Sequence, residues 1–338
     1  MKEKVFVRDL VEVLDKITGG RVLKSPQDLA SGKNPFVVTK SSNIPGKAVT
    51  ETPGLVCGNM DQEIKKIAVL MTLTESGIEL AGATGVDALV AHHPIADATN
   101  TGGVLLKTYL GLYNIAALEL HEAFHGLHPG IAYLHGHKAY HVDIKYGGIP
   151  GNILYVGEAL PEIKTVGDML ARLDTLMGTA VEENMLRMER EIRGCQDIQE
   201  TSVVARGAIL VGSPEKSVTK VIHIFPHTGF TPEHLEKVVS EHPGADTLLA
   251  TISRVYPGNP LIEKARELGL NFVCGNSHAL EIMENGLPLA RAIKMHLPEL
   301  EVVIFRERLT SIPLDKFGTK DVQEYASYIV QNFLVKNK

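Results

Sequence analysis

The 338 residues carry 34 Lys+Arg against 40 Asp+Glu, a formal charge of −6, with 44% hydrophobic and 22% charged residues. That balance excludes a disordered chain and the basic footprint of a dedicated nucleic-acid binder. No apolar run approaches the roughly 18 residues that span a bilayer, and three separated cysteines (Cys57, Cys195, Cys274) argue against a disulfide framework or a zinc ribbon.

The first ten residues lack the apolar core of a secretory signal, so a cytoplasmic protein is expected. Residues 9–19 read as an amphipathic helix, with Leu10, Val11, Leu14 and Ile17 on one stripe and Gly19-Gly20 as its stop. Residues 30–55, rich in Ser, Pro, Gly and Lys, read as loop. The apolar run 67–72 predicts a buried strand and residues 75–83 a helix. A second buried strand, 86–91, runs straight into His92-His93-Pro94. A helix over 104–112 follows, then a strand over 114–120 that ends at His121.

Residues 165–177 read as a helix opened by Thr165, and 182–200 as an exposed charged helix or connector. Strands are expected at 218–225, 246–252 and 270–274, with helices at 232–240 and 260–268 between them. Val322, Tyr325, Ala326, Ile329, Val330 and Phe333 form a helical stripe, read as core before oligomer contact. Strand–helix alternation of this kind predicts an α/β fold with largely parallel sheets. The division expected is a first α/β lobe over 1–150, a helical charged connector over 151–200, and a second α/β lobe over 201–338.

Two segments repeat. Gly85-Val-Asp-Ala-Leu-Val-Ala-His-His-Pro94 aligns with 244–253, and 112–121 aligns with 268–278, at offsets of 159 and 157 residues. An internal duplication is therefore expected, with His121 opposite His278. Of 14 histidines, eight lie between residues 92 and 141. His92-His93, His121 and His278 all fall at strand ends, where open α/β sheets collect ligands. His121 and His125 are four residues apart, and His278 and Glu281 three, so each pair shares a face if the turn is helical. Imidazoles and carboxylates in this supply suit two ions bridged by hydroxide. His128, His135, His137 and His141 fall in a Gly-rich stretch and are read as surface or entrance residues. His223, His234, His242 and His296 are read as bystanders, and His227 as the exception among them.

Gly54-Leu-Val-Cys-Gly58, Asp61-Gln-Glu-Ile-Lys-Lys-Ile67 and the His-His-Pro segment together resemble the Nif-three-like proteins, also labelled homologues of type-two GTP cyclohydrolase I. The resemblance covers about 50–130 and 200–290. It implies two similar, intertwined three-layer α/β/α lobes, a dinuclear metal centre between them, and ring-like homohexamers. The ligands it implies are His92, His93, His125, His278 and Glu281, holding two divalent transition-metal ions (Zn, Fe, Ni or Mn). The family's second motif ends in Asp where this chain has His125, its closing motif spaces His and Glu by four, and its Trp-Asp-Asn is absent. Four imidazoles and one carboxylate would leave two divalent ions at about +3, favouring anionic ligands such as phosphates. Imidazole-rich ligation suits Zn, Fe or Ni better than Mg.

Gly275-Asn-Ser277-His-Ala279 resembles a nucleophile elbow, but only His296 lies downstream as a partner, so Ser277 reads as orienting the metal site. No Walker-type or dinucleotide-binding glycine motif is present. Two functions follow. The first is a metal-dependent hydrolase of a phosphorylated or nucleotide-like small molecule acting through a metal-bound hydroxide, with His121 as a catalytic proton shuttle. The second is a non-catalytic metal-binding regulatory or assembly protein. Neither calls for a membrane or a nucleic acid as partner.

Overall fold

A computed structural model describes residues 4–41, 48–95, 106–149, 151–226, 229–252, 254–277 and 281–334. The strands, numbered in chain order, are β1 (Val5–Phe6), β2 (Val38–Ser41), β3 (Ala48–Glu51), β4 (Gly54–Cys57), β5 (Glu63–Ile64), β6 (Lys66–Leu70), β7 (Ala88–Ala91), β8 (Ala116–Glu119), β9 (His137–Asp143), β10 (Leu154–Ala159), β11 (Gln199–Glu200), β12 (Ala208–Val211), β13 (Lys220–Ile224), β14 (Thr247–Ile252), β15 (Asn271–Ser277), β16 (Glu301–Ile304) and β17 (Thr310–Ser311).

Two large sheets carry the fold. The first has the order β16-β6-β7-β8-β4, parallel except for β4. The second has the order β12-β15-β14-β13-β10-β9, with β13, β14 and β15 parallel and the other three strands antiparallel to their neighbours. The units β6-β7-β8-β4 and β13-β14-β15-β12 thus share strand order and sense.

Each sheet is covered on both faces, which explains why its central strands are apolar without alternation. Ile67, Val69, Val90 and Leu118 face the helices Val7–Thr18 and Leu287–His296 through Leu10, Leu14, Leu289 and Ile293. Ala68, Leu70, Leu89 and Ala91 face the helices Glu75–Ala83 and Leu106–Tyr113 through Ile78, Ala81 and Leu110. In the second sheet Ile222, Leu248 and Phe272 meet Leu235 and Leu261, while Val221, Leu249 and Val273 meet Val166 and Met169. Each large apolar side chain so buried contributes about 1.5–3 kcal/mol. The result is a pair of three-layer α/β/α lobes, as expected.

The chain crosses between lobes twice. Strands β9 and β10, which precede residue 160, belong to the second sheet, while helix Leu287–His296 and β16 return to the first. Sheet membership therefore draws the lobes differently from the expected 1–150, 151–200 and 201–338. The connector region itself contains the exposed helix Thr179–Arg193.

Three local expectations change. Residues 30–55 are not all loop: β2 pairs β3 as an antiparallel ribbon and β4 joins the first sheet. The Gly-rich stretch 130–148 forms helix Gly130–Leu134 and β9, and it buries His135 and His137 completely. The C-terminal helix Lys320–Ile329 buries none of its residues, so its apolar stripe is not core. Tyr325, Tyr328 and Phe333 are instead exposed. Amphipathic periodicity specifies a face and is silent about what covers it.

Candidate functional site

Strand β7 delivers the first two candidate ligands. Backbone pairing with the neighbouring strand continues past its end, from His92 N to Leu70 O (3.1 Å) and from His93 N to Met71 O (2.8 Å). Extended backbone sends successive side chains to opposite sides. His92 accordingly donates from Nδ1 to Leu120 O (3.0 Å), while His93 Nδ1 pairs with Thr72 Oγ1 (2.9 Å). Both rings are thereby fixed with Nε2 pointing into the site. Metal-ligating histidines are characteristically held this way, by a partner on the far nitrogen.

The other sheet's chain supplies the acid. Glu281 follows β15 and opens the π-type turn Ile282–Gly286, a distortion frequent at functional sites. Its carboxylate reaches both histidines, Oε1 lying 3.3 Å from His92 Nε2 and Oε2 2.9 Å from His93 Nε2. One turn on, Asn285 donates to Glu281 Oε1 (3.3 Å) and lies 3.4 Å from His92 Nε2. Burial alone would raise the Glu281 pKa, but its hydrogen bonds to His92 and His93 and their charges hold it well below the usual carboxylate range. With its Nδ1 proton committed to Leu120 O, the His92 ring meets the carboxylate oxygen through Nε2. Two acceptors at 3.3 Å call for a proton or a cation between them.

Strand β8 delivers the rest. Leu120 N still pairs with Ala91 O (3.0 Å), and His121 follows. Residues 122–126 form turns, so the helical geometry under which His121 and His125 would share a face is absent. Even so, the His121 and His125 rings come within 4.6 Å, edge to face. His121 Nδ1 lies 2.8 Å from Glu51 Oε2 at the end of β3, and His125 Nδ1 lies 3.5 Å from Glu122 Oε2. His125 Nδ1 is buried and has no hydrogen-bond partner, as suits a donor atom awaiting a ligand. Glu119 braces the site from behind, accepting from Thr52 N (3.0 Å) and Ile95 N (2.9 Å).

The structure thus brings together His92, His93, His121, His125 and Glu281; His278 lies outside the described residues. Among the described residues, His92, His121 and His125 present ligand atoms within 4.8 Å of one another, as do Glu51, His121 and Glu122. Such buried His/Glu groups can hold metal ions. Sequence reasoning missed Glu51, Thr72 and Asn285, for which there was no local signal. It also passed over Glu122, although His121-Glu-Ala-Phe-His125 spells the H-E-x-x-H pattern of zinc hydrolases.

A second histidine cluster was unforeseen. His135 Nδ1 donates to Ile131 O (2.8 Å) and its Nε2 meets Thr251 Oγ1 (3.2 Å). His137 Nε2 pairs with His223 Nδ1 at 3.0 Å, leaving His137 Nδ1 and His223 Nε2 without hydrogen bonds. Burial lowers His135 to about 4 and His137 to about 3, and it pushes His223 well below the ordinary histidine value. These rings are neutral packing groups, admitted by glycines: a Cβ at Gly275 would stand 2.5 Å from His135 Nε2, and one at Gly157 2.6 Å from His137 Nδ1.

The Duf34/NIF3 (NGG1p interacting factor 3) family profile matches residues 37–99, a span that ends just past the His-His-Pro turn. That segment of the chain is similar to the Duf34/NIF3 family. Solved structures of similar fold include reduced HcgD from Methanocaldococcus jannaschii, with 19% identity, 90% of this chain and 99% of that one covered, and a TM-score of 0.52. They also include a Bacillus cereus protein related to NIF3 (11%, 90% and 98% covered, TM-score 0.54). A third is TTHA1606 from Thermus thermophilus (14%, 92% and 100% covered, TM-score 0.52). No curated protein matches the sequence. At these identities the likeness shows the Duf34/NIF3 fold over nearly the whole chain. No helix among the described residues is long and apolar enough to cross a membrane.

Proposed function

We propose that this chain is a Duf34/NIF3 protein that binds two divalent transition-metal ions (Zn, Fe, Ni or Mn) and hydrolyses a phosphorylated or nucleotide-like small molecule. The observation that carries the dinuclear reading is the Glu281 carboxylate, whose two oxygens each approach a different histidine, at 3.3 and 2.9 Å. A carboxylate placed this way suits a bridge between cations. Bound there, two ions would activate a water and polarise the bond it attacks.

The chain's own residues supply the remainder. Thr72 and Leu120 O fix the rings of His93 and His92, and Asn285 restrains Glu281. Proton transfer in this reading falls to His121, the shuttle expected from the sequence, or to Glu122, 3.5 Å from His125 Nδ1. Substrate access is from the side of His93 and His121, whose side chains keep 15% and 16% exposure while His92 and Glu281 are closed off. With His278 this is the ligand set we carry forward, together with duplicated lobes divided by sheet membership, a homohexamer and a cytoplasmic setting.

The second reading, a non-catalytic assembly or regulatory protein, is favoured by one feature. Glu281 reaches the first sheet's histidines from the chain leaving the second sheet, so bound ions would pin the lobes to each other. Metal analysis of protein purified without chelator, beside His125→Ala, tests the shared premise, and a phosphoester and nucleotide screen separates the readings. Stoichiometric metal with turnover supports the hydrolase, and metal without turnover supports the assembly role. Metal-free wild type overturns both.

A further inference from the structure

The ligands implied by the resemblance leave His121, Glu51 and Glu122 without a part, yet these three lie at the centre of the site. We infer that one ion occupies a three-imidazole seat formed by His92, His121 and His125 of the first lobe, walled by Glu51 and Glu122, beside a separate seat at His93 and Glu281. The inference rests on the metal-binding reading above and adds which residues hold which ion.

Four observations support it. The three histidines present ligand atoms within 4.8 Å of one another. Their ring centroids are 5.3, 5.4 and 4.6 Å apart, with planes inclined by 68° to 72°. That is a propeller about a common centre, unlike an apolar stack. The Nδ1 atoms of two rings are engaged, His92 by Leu120 O and His121 by Glu51, which fixes the tilt of each ring about that centre. His125 adds a buried Nδ1 with no hydrogen-bond partner.

The buried carboxylates balance the charge. A divalent ion on three neutral imidazoles carries a net charge of about +2, a heavy cost in a site of low polarity. Glu51, 2% exposed, and Glu122, 3% exposed, offset both charges. The carboxylate that the family places at position 125 is thus supplied from two other places, and the strongly cationic centre expected from the sequence is reduced to a nearly neutral seat. Three imidazoles match the ligation of zinc sites and select Zn, Fe, Ni or Co over Mg and Ca.

The test uses the full-length protein, stripped by chelator and titrated with Co2+ and Zn2+, with ions counted by mass spectrometry and Co2+ geometry read from visible absorption. Wild type should take up two ions per chain. His121→Asn should take up one, with loss of the tetrahedral Co2+ band, and Glu281→Gln should keep that band. Glu51→Gln should retain both ions while weakening one about 10–100-fold. Unchanged stoichiometry and affinity in His121→Asn, or a wild type that holds one ion lost only in Glu281→Gln, overturns the three-imidazole seat and leaves metal binding intact. A wild type without metal overturns the functional reading itself. Should His121→Asn fail to fold, anomalous scattering from wild-type crystals decides. A peak about 2.0–2.1 Å from nitrogens of His92, His121 and His125 is expected, and peaks only beside His93 overturn the seat.

Discussion

Glu281 stands 188 residues from His93 in the chain and 2.9 Å from it in space. The contact joins the end of β7 in the first sheet to the turn that follows β15 in the second. The acid is buried, held ionised by the same two histidines it orients, and restrained by Asn285.

Removing that acid leaves two imidazoles facing an empty pocket. Glu281→Ala is expected to bind at most one ion per chain, measured by elemental analysis. In metal-free protein the loss of a buried, hydrogen-bonded charge should lower stability by about 2–4 kcal/mol in denaturant titrations.

Thr72 acts on the metal only through His93. Thr72→Val deletes the partner of His93 Nδ1 at 2.9 Å without changing the strand. An affinity lower by about tenfold for one ion is expected from calorimetry, with thermal stability of the metal-free form nearly unchanged. Equal affinities would show that the hydroxyl does not orient the ring.

The second histidine cluster makes stability depend on pH. His135, His137 and His223 are kept neutral by burial, so their folded pKa values lie below the unfolded 6.5. Above pH 6.5 both states are neutral and nothing changes. Below it the unfolded chain takes up protons that the folded chain refuses, so stability falls from 6.5 down to the folded values of about 4 and about 3. His135 alone accounts for roughly 3 kcal/mol over that window. Denaturant melts of metal-free protein at pH 7 and pH 5 should show the loss, and His137→Gln should flatten it.

Gly275 lies against one of these rings. Gly275→Ala would place a methyl 2.5 Å from His135 Nε2, whose hydrogen bond to Thr251 holds the ring in place. Destabilisation of about 1–3 kcal/mol is expected. A thermal midpoint equal to wild type would mean that the ring can shift.

The C-terminal helix offers a contrast. None of its residues is buried, so Tyr325→Glu and Phe333→Glu should change monomer stability by less than about 0.5 kcal/mol. If the stripe is an interface between copies, as the hexamer proposal requires of some apolar face, light scattering will report smaller particles. Unchanged particle mass would exclude this helix from the interface.

Local sequence was enough to determine the alternation of strand and helix. Apolar runs such as 88–91 and stripes such as Leu10, Leu14 and Ile17 are dictated by period and burial within a few residues. It was also enough to place His92, His93 and His121 at strand ends, because a buried strand fixes where its last residue emerges. Tertiary structure decided what no period encodes. It brought Glu51 to His121 across 70 residues and Glu281 to His93 across 188. It buried His135 and His137, which their Gly-rich stretch read as surface or entrance, beside His223, and left the stripe at 322–333 uncovered. Hydrophobic pattern states which face avoids water. Only packing states what meets that face, and whether a buried polar atom there finds a proton, a carboxylate or an ion.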